Sequence, residues 1–94
     1  MFEWDDEKAE ANIVKHGVSF LEASTVFDDD LAYYAIDTTH SIGEYRYFIL
    51  GESSEGRLLN VSYTERKHAL RLISAREATS AERIGYEEGK EIDR

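Results

Sequence analysis

The sequence has no cysteine and no proline. Without cysteine there is no disulfide framework, no thiolate zinc site and no thiol nucleophile. Without proline no helix is kinked by a fixed φ, so glycines and capping side chains must end the elements. Long apolar runs are also missing. None approaches the ~18 residues of a membrane span, and no basic-then-apolar leader opens the chain, so a cytoplasmic protein without membrane association is expected. Positive charge is scarce, with 11 Lys and Arg against 20 Asp and Glu and a formal net charge of −9. Such a balance argues against a protein that coats nucleic acid through a general basic field.

What remains is enough for one domain, residues 1–94, with 41% hydrophobic residues and aromatics comprising six Tyr, four Phe and one Trp. The scarce basic groups are unevenly placed. Residues 1–55 hold 13 acids and 3 bases, whereas residues 56–94 hold 7 acids and 8 bases. A small anion-binding face on an acidic body is therefore permitted. No metal ligand set is legible: Asp28-Asp29-Asp30 lacks the ligand spacing of a calcium loop and reads as a solvated turn, so no cofactor is expected.

Phe2 to Trp4 reads as a brief strand or an anchoring strap. Asp5 is placed to cap a helix whose first turn carries Asp6 and Glu7, and which runs to about His16 and stops at Gly17. Ser19-x-x-Glu22 predicts a capping box for a second helix, Phe20 to Phe27, buried through Phe20, Ala23 and Phe27. Strand-like stretches follow over Leu31–Asp37 and Glu44–Leu50, separated by a polar loop that holds His40. Gly51 to Gly56 is expected to be a hairpin loop. Thr79-x-x-Glu82 predicts a last helix that ends at Gly89 and docks through Ala81 and Ile84, with residues 90–94 frayed.

The centre of the chain is the hairpin from Leu58 to Thr79. Leu59, Val61 and Tyr63 alternate with Asn60, Ser62 and Thr64, the period-2 pattern of a half-buried strand. The return strand, Ala69 to Arg76, is apolar on both faces apart from Arg71, Ser74 and Arg76, as expected for an inner strand. By parity Glu65 and Arg66 face opposite ways unless the strand bulges or ends there. The fold class is α+β: a four-stranded antiparallel sheet, two N-terminal helices on one face and a short C-terminal helix, in the order α-α-β-β-β-β-α.

Four segments together resemble the BrnT-type toxins, the ribonuclease half of the BrnT–BrnA toxin–antitoxin pair. They are Phe2-Glu3-Trp4-Asp5, Asn12-x-x-Lys15-His16-Gly17 running into Ser19-Phe20-x-Glu22-Ala23, Tyr63-Thr64-Glu65-Arg66, and Ile73-Ser74-Ala75-Arg76-x-Ala78-Thr79. The resemblance implies a RelE-like fold, metal-independent RNA cleavage that inhibits translation, and neutralisation by a BrnA-like antitoxin. DNA binding in that family resides in the antitoxin, and this chain is not expected to bind DNA directly. The alternative is a BrnT-like module with little catalysis of its own, acting mainly as the antitoxin's partner in an autorepressing complex.

Cleavage without a metal needs a base for the 2′-hydroxyl, an acid for the leaving 5′-oxygen and cations around the phosphorane charge. On the resemblance, Arg66 and Arg76 suit the cationic role, Glu65 or His16 the base, and His16 or Lys15 the acid; Lys8, Asn12 and Arg71 are candidates for RNA contacts. Each has a plainer role open to it. The arginines could be partners of Glu65, Glu77 or Glu44, Lys15 and His16 could serve only the helix C-terminus, and His40 and His68 could be solvated.

Overall fold

The computed structural model describes residues 1–92. Its elements are β1 (Phe2–Glu3), α1 (Asp6–His16), α2 (Phe20–Ser24) with a 3-10 turn over Thr25–Asp28, β2 (Tyr33–Ile36), β3 (Arg46–Glu52), β4 (Leu58–Arg66), β5 (Ala69–Glu77) and α3 (Ser80–Ile92). The α+β class and the run of four antiparallel strands are as expected. The sheet, however, has five strands in the order β1-β5-β4-β3-β2 and is mixed, because β1 pairs parallel to β5 through Phe2–Leu70 and Glu3–Arg71. A two-residue strand shows no alternation in sequence. It becomes a strand only because β5 offers it a free edge, where Leu70 N–H donates to Met1 O and Arg71 Nη1 to Glu3 Oε2.

Helix α1 begins and ends where its sequence dictates. Asp5 accepts from the Lys8 N–H, and Gly17 takes the left-handed conformation (φ 69°), where a side chain would be strained. Ser19 likewise caps α2, accepting from the Glu22 N–H. The box is only half closed there, because the Glu22 carboxylate turns away to bind Arg57 and accept from Ser53 Oγ. Arg57 also donates to Gly17 O, so this half-buried pair ties both helices to the β3–β4 turn. The second helix is shorter than expected, tightening into its 3-10 turn at Thr25.

That turn lies close against β3. A Cβ on Gly51 would sit 3.1 Å from Ala32 Cβ and 3.2 Å from Val26 O. Gly51 is thus an inner-strand glycine required by close approach, not the start of the hairpin loop. Asp29 is likewise no solvated turn residue. Its carboxylate accepts from Leu31 N–H, Glu52 N–H and the Tyr86 hydroxyl, tying the turn to β3 and α3.

The two faces of the sheet differ. Val18, Phe20, Ala23 and Val26 pack on Ile49, Leu59, Val61, Leu72 and Ala75 to make the main core. Leu72 and Ala75, three residues apart, both reach this core because β5 bulges: Ser62 pairs with Ser74 but Tyr63 with Leu72, leaving Ile73 extra. The bulge also brings Arg71, Ser74 and Arg76 together on the opposite, outer face. It does not touch Glu65 and Arg66, which do face opposite ways. Over part of the outer face lies α3, docked through Tyr86 on Leu50 and Leu58; Ala81 and Ile84, the expected contacts, are exposed. Gly89 does not stop this helix, which continues through Ile92. An interior glycine costs about 1 kcal/mol but ends a helix only with a left-handed cap, and Gly89 does not adopt one. The expected fraying of residues 93–94 lies outside the described residues.

Candidate active site on the outer face of the sheet

The uncovered part of the outer face forms a cleft of about 430 Å³. Its floor is Phe48, Ser62 and Ser74, side by side across three strands, with Asn60 and Arg76 in the next row. Its walls come from three separate places: His16 from the end of α1, Asp37 and His40 from the β2–β3 loop, and Glu82 from the first turn of α3. No two of these wall elements are adjacent in sequence.

His16 reaches the cleft because α1 lies along the edge of β5. The Asn12 carboxamide takes the place of a neighbouring strand there, donating to Ala75 O (2.8 Å) and accepting from Ala75 N–H (3.0 Å), with a further bond to Val18 O. One turn further on, His16 comes past that edge to the side of Ser74 and Arg76. Across the cleft, His40 Nδ1 lies 2.9 Å from Asp37 Oδ2. With Nδ1 donating, Nε2 is the nitrogen left for chemistry. The same contact holds the Asp37 carboxyl below its ordinary range.

Arg76 is held in one orientation. Nη1 donates to Glu82 Oε1 (2.7 Å) and to Glu77 O, and Nη2 to Glu82 Oε2 (3.0 Å). Among the described residues no acceptor is bonded to the Nε–H or to the second Nη2–H, and these two form the parallel edge with which a guanidinium grips a phosphate. Glu82 is fixed in turn. It completes the expected capping box, accepting from Thr79 N–H while Thr79 Oγ1 accepts from its own N–H, and it also accepts from Asn60 Nδ2. These partners, Arg76 first, push its carboxyl down to about 2 despite partial burial. The pairing raises the Arg76 guanidinium above its already high range. Chemically the cleft offers two imidazoles and a pre-aimed guanidinium around a floor of two serine hydroxyls and the Phe48 ring.

Of the residues singled out in the sequence, the fold gathers His16 and Arg76 here and disperses the rest. Arg66 is on the outer face, but along β4 from Asn60 to Arg66 is about 20 Å at ~3.3 Å per residue, and there it pairs with Glu44. Arg66 and Arg76 therefore cannot grip one phosphate. Glu65 faces the helix side near Tyr47, whose hydroxyl is kept from ionising first by its desolvation and then by the Glu65 carboxylate. Lys15 and Lys8 are exposed on α1, Asn12 is buried against Ala75, and Arg71 is engaged by Glu3. His40 and Glu82 went unselected. His40 lies in a polar loop with no periodicity, and Asp37, three residues earlier, was the available signal. Among the described residues no group of three His, Asp or Glu is placed to hold a metal ion.

Fold and cleft together describe a small α+β protein that brings two imidazoles and a guanidinium to one open face of its sheet. The family model of the ribonuclease toxin BrnT of type II toxin–antitoxin systems matches residues 4–82, and the chain belongs to that family. An antitoxin partner follows from that membership. The structure is similar to the crystal structure of the Brucella abortus ribonuclease toxin BrnT, with a TM-score of 0.65 and 26% identity, over 85% of this chain and 99% of that one. No curated protein sequence matches the chain. No helix among the described residues is long and apolar enough to cross a membrane.

Proposed function

We propose that the chain is a cytoplasmic endoribonuclease toxin that cleaves RNA without a metal and is neutralised when its antitoxin covers the outer-face cleft. The observation that carries this reading is the convergence of His16, His40 and Arg76 on one cleft. One imidazole removes the 2′-hydroxyl proton as that oxygen attacks phosphorus. The other protonates the departing 5′-oxygen, and Arg76 takes the developing phosphorane charge on its free edge. Asp37 orients His40 by fixing its Nδ1. Products are a 2′,3′-cyclic phosphate and a 5′-hydroxyl. Glu65, on the far face, and Lys15, turned to solvent, have no part in this scheme. Arg66, Arg71 and Lys8 are left to longer-range attraction of the strand.

The test is cleavage of RNA by the purified protein in excess EDTA, with analysis of the ends. Cyclic phosphate or its hydrolysis product is expected. Loss of activity in EDTA, or 3′-hydroxyl ends, would overturn the mechanism.

A further inference from the structure

Beside the cleft lies a second hollow of about 380 Å³, lined by Tyr33, Phe48, Leu50, Glu82, Gly85 and Tyr86. Phe48 and Glu82 line both, so the two share a wall. The hollow is predominantly apolar. Leu50 and Tyr86 form its buried base, and the Tyr86 ring is locked by its hydroxyl bond to Asp29. Tyr33 and Phe48 form an aromatic side, with ring centroids 6.4 Å apart and planes inclined at 39°. Gly85 faces it from α3, and a Cβ there would meet nothing within 4 Å.

We propose that this hollow is a nucleobase subsite, holding the base of a nucleotide next to the scissile phosphate by stacking against Phe48 and Tyr33. The proposal rests on the ribonuclease reading of the adjoining cleft. A phosphate on the free edge of Arg76 has its neighbouring nucleoside beside the shared Phe48–Glu82 wall, and a flat aromatic ring system suits an apolar, ring-lined space. The Glu82 carboxylate accepts from Arg76 Nη1, Arg76 Nη2, Asn60 Nδ2 and Thr79 N–H, which uses its lone-pair positions. It therefore has little capacity to read the base edge. The subsite selects for the presence of a base, with purines above pyrimidines by stacking area, and not for one base identity.

The test uses oligonucleotides with a single cleavable ribonucleotide, flanked by adenine, by uracil or by an abasic position, and a 2′-O-methyl version carrying 2-aminopurine at that position. The proteins are wild type and Gly85→Leu, a change that fills the hollow and removes a glycine from a helix interior, so the fold is retained. Wild type should cleave the base-bearing substrates at least about tenfold faster than the abasic one. Gly85→Leu should cleave all three at the abasic rate, and the 2-aminopurine quenching seen with wild type should disappear. Equal wild-type rates on base-bearing and abasic substrates would overturn the subsite. So would a Gly85→Leu defect of equal size on every substrate, or a variant that cleaves normally but no longer binds antitoxin. If wild type cleaves nothing yet quenches 2-aminopurine in a Gly85-dependent way, the catalytic reading fails and the subsite stands. If it neither cleaves nor quenches, both fail.

Discussion

The Asn12 carboxamide bonds both backbone groups of Ala75, and through that pair a helix finishes the edge of a sheet. The parallel partner β1 covers β5 only at Leu70 and Arg71. Beyond it, Asn12 supplies the missing donor and acceptor, and the same contact carries His16 to the outer face.

Replacing Asn12 by alanine should therefore damage two things. Three buried backbone groups, the N–H and carbonyl of Ala75 and the carbonyl of Val18, lose this partner, at a cost of about 3 kcal/mol, seen as a lower urea midpoint. The folded fraction should also cleave RNA more slowly, because His16 is no longer anchored one turn away. An Asn12→Ala protein with wild-type stability would show that the edge is closed by other contacts.

Removing either imidazole should be a chemical lesion more than a structural one. His16→Ala and His40→Ala should each lower the cleavage rate by about 10²–10⁴-fold, the range for loss of a positioned acid or base. His40 is largely exposed, so its variant should keep the wild-type urea midpoint to within about 0.5 kcal/mol. If His40→Ala cleaves at the wild-type rate, the loop is not part of the catalytic apparatus.

Glu82 makes a pH-dependent contribution whose direction follows from its lowered pKa. The folded protein holds this carboxyl at about 2 against an ordinary 4.5. Its stabilisation is present in full above pH 4.5 and is lost as pH falls toward about 2, because the unfolded chain takes up the proton first. At pH 7, Glu82→Gln should be less stable than wild type by about 2 kcal/mol, the worth of charge-assisted bonds to Arg76. The gap should narrow below pH 4.5. A gap that stays constant from pH 7 to pH 3 would assign the loss to the shape of the side chain and not its charge.

The parts of this fold that could be read in the sequence are those set by local pattern. Asp5, Gly17, Ser19 and Thr79 mark helix ends through bonds to neighbours a few residues away, and the alternation from Leu59 to Tyr63 gives β4 directly. The features misread or left open depend on partners far along the chain. The strand β1 exists only by pairing with β5, Gly51 is needed because a distant turn approaches it, and Glu22 leaves its capping box for Arg57. For the candidate site the same division holds. Arg76 and His16 belong to recognisable segments. The meeting of those two, and the arrival of Glu82, depend on the Asn12 contact and the docking of α3, neither of which has a local signature, while His40 comes with the β2–β3 loop.

The most direct measurement compares the two arginines that the sequence treated as a pair. Cleavage rates in EDTA should be determined for wild type, Arg76→Lys and Arg66→Lys, alongside their urea midpoints. Lysine retains the charge but cannot present a parallel two-donor edge. With the cleft as the catalytic centre, Arg76→Lys should be slower by about a hundredfold or more. Arg66→Lys, about 20 Å away by strand rise, should stay within about threefold of wild type. A protein that tolerates Arg76→Lys but is silenced by Arg66→Lys would place the chemistry at the other end of the hairpin and contradict the account.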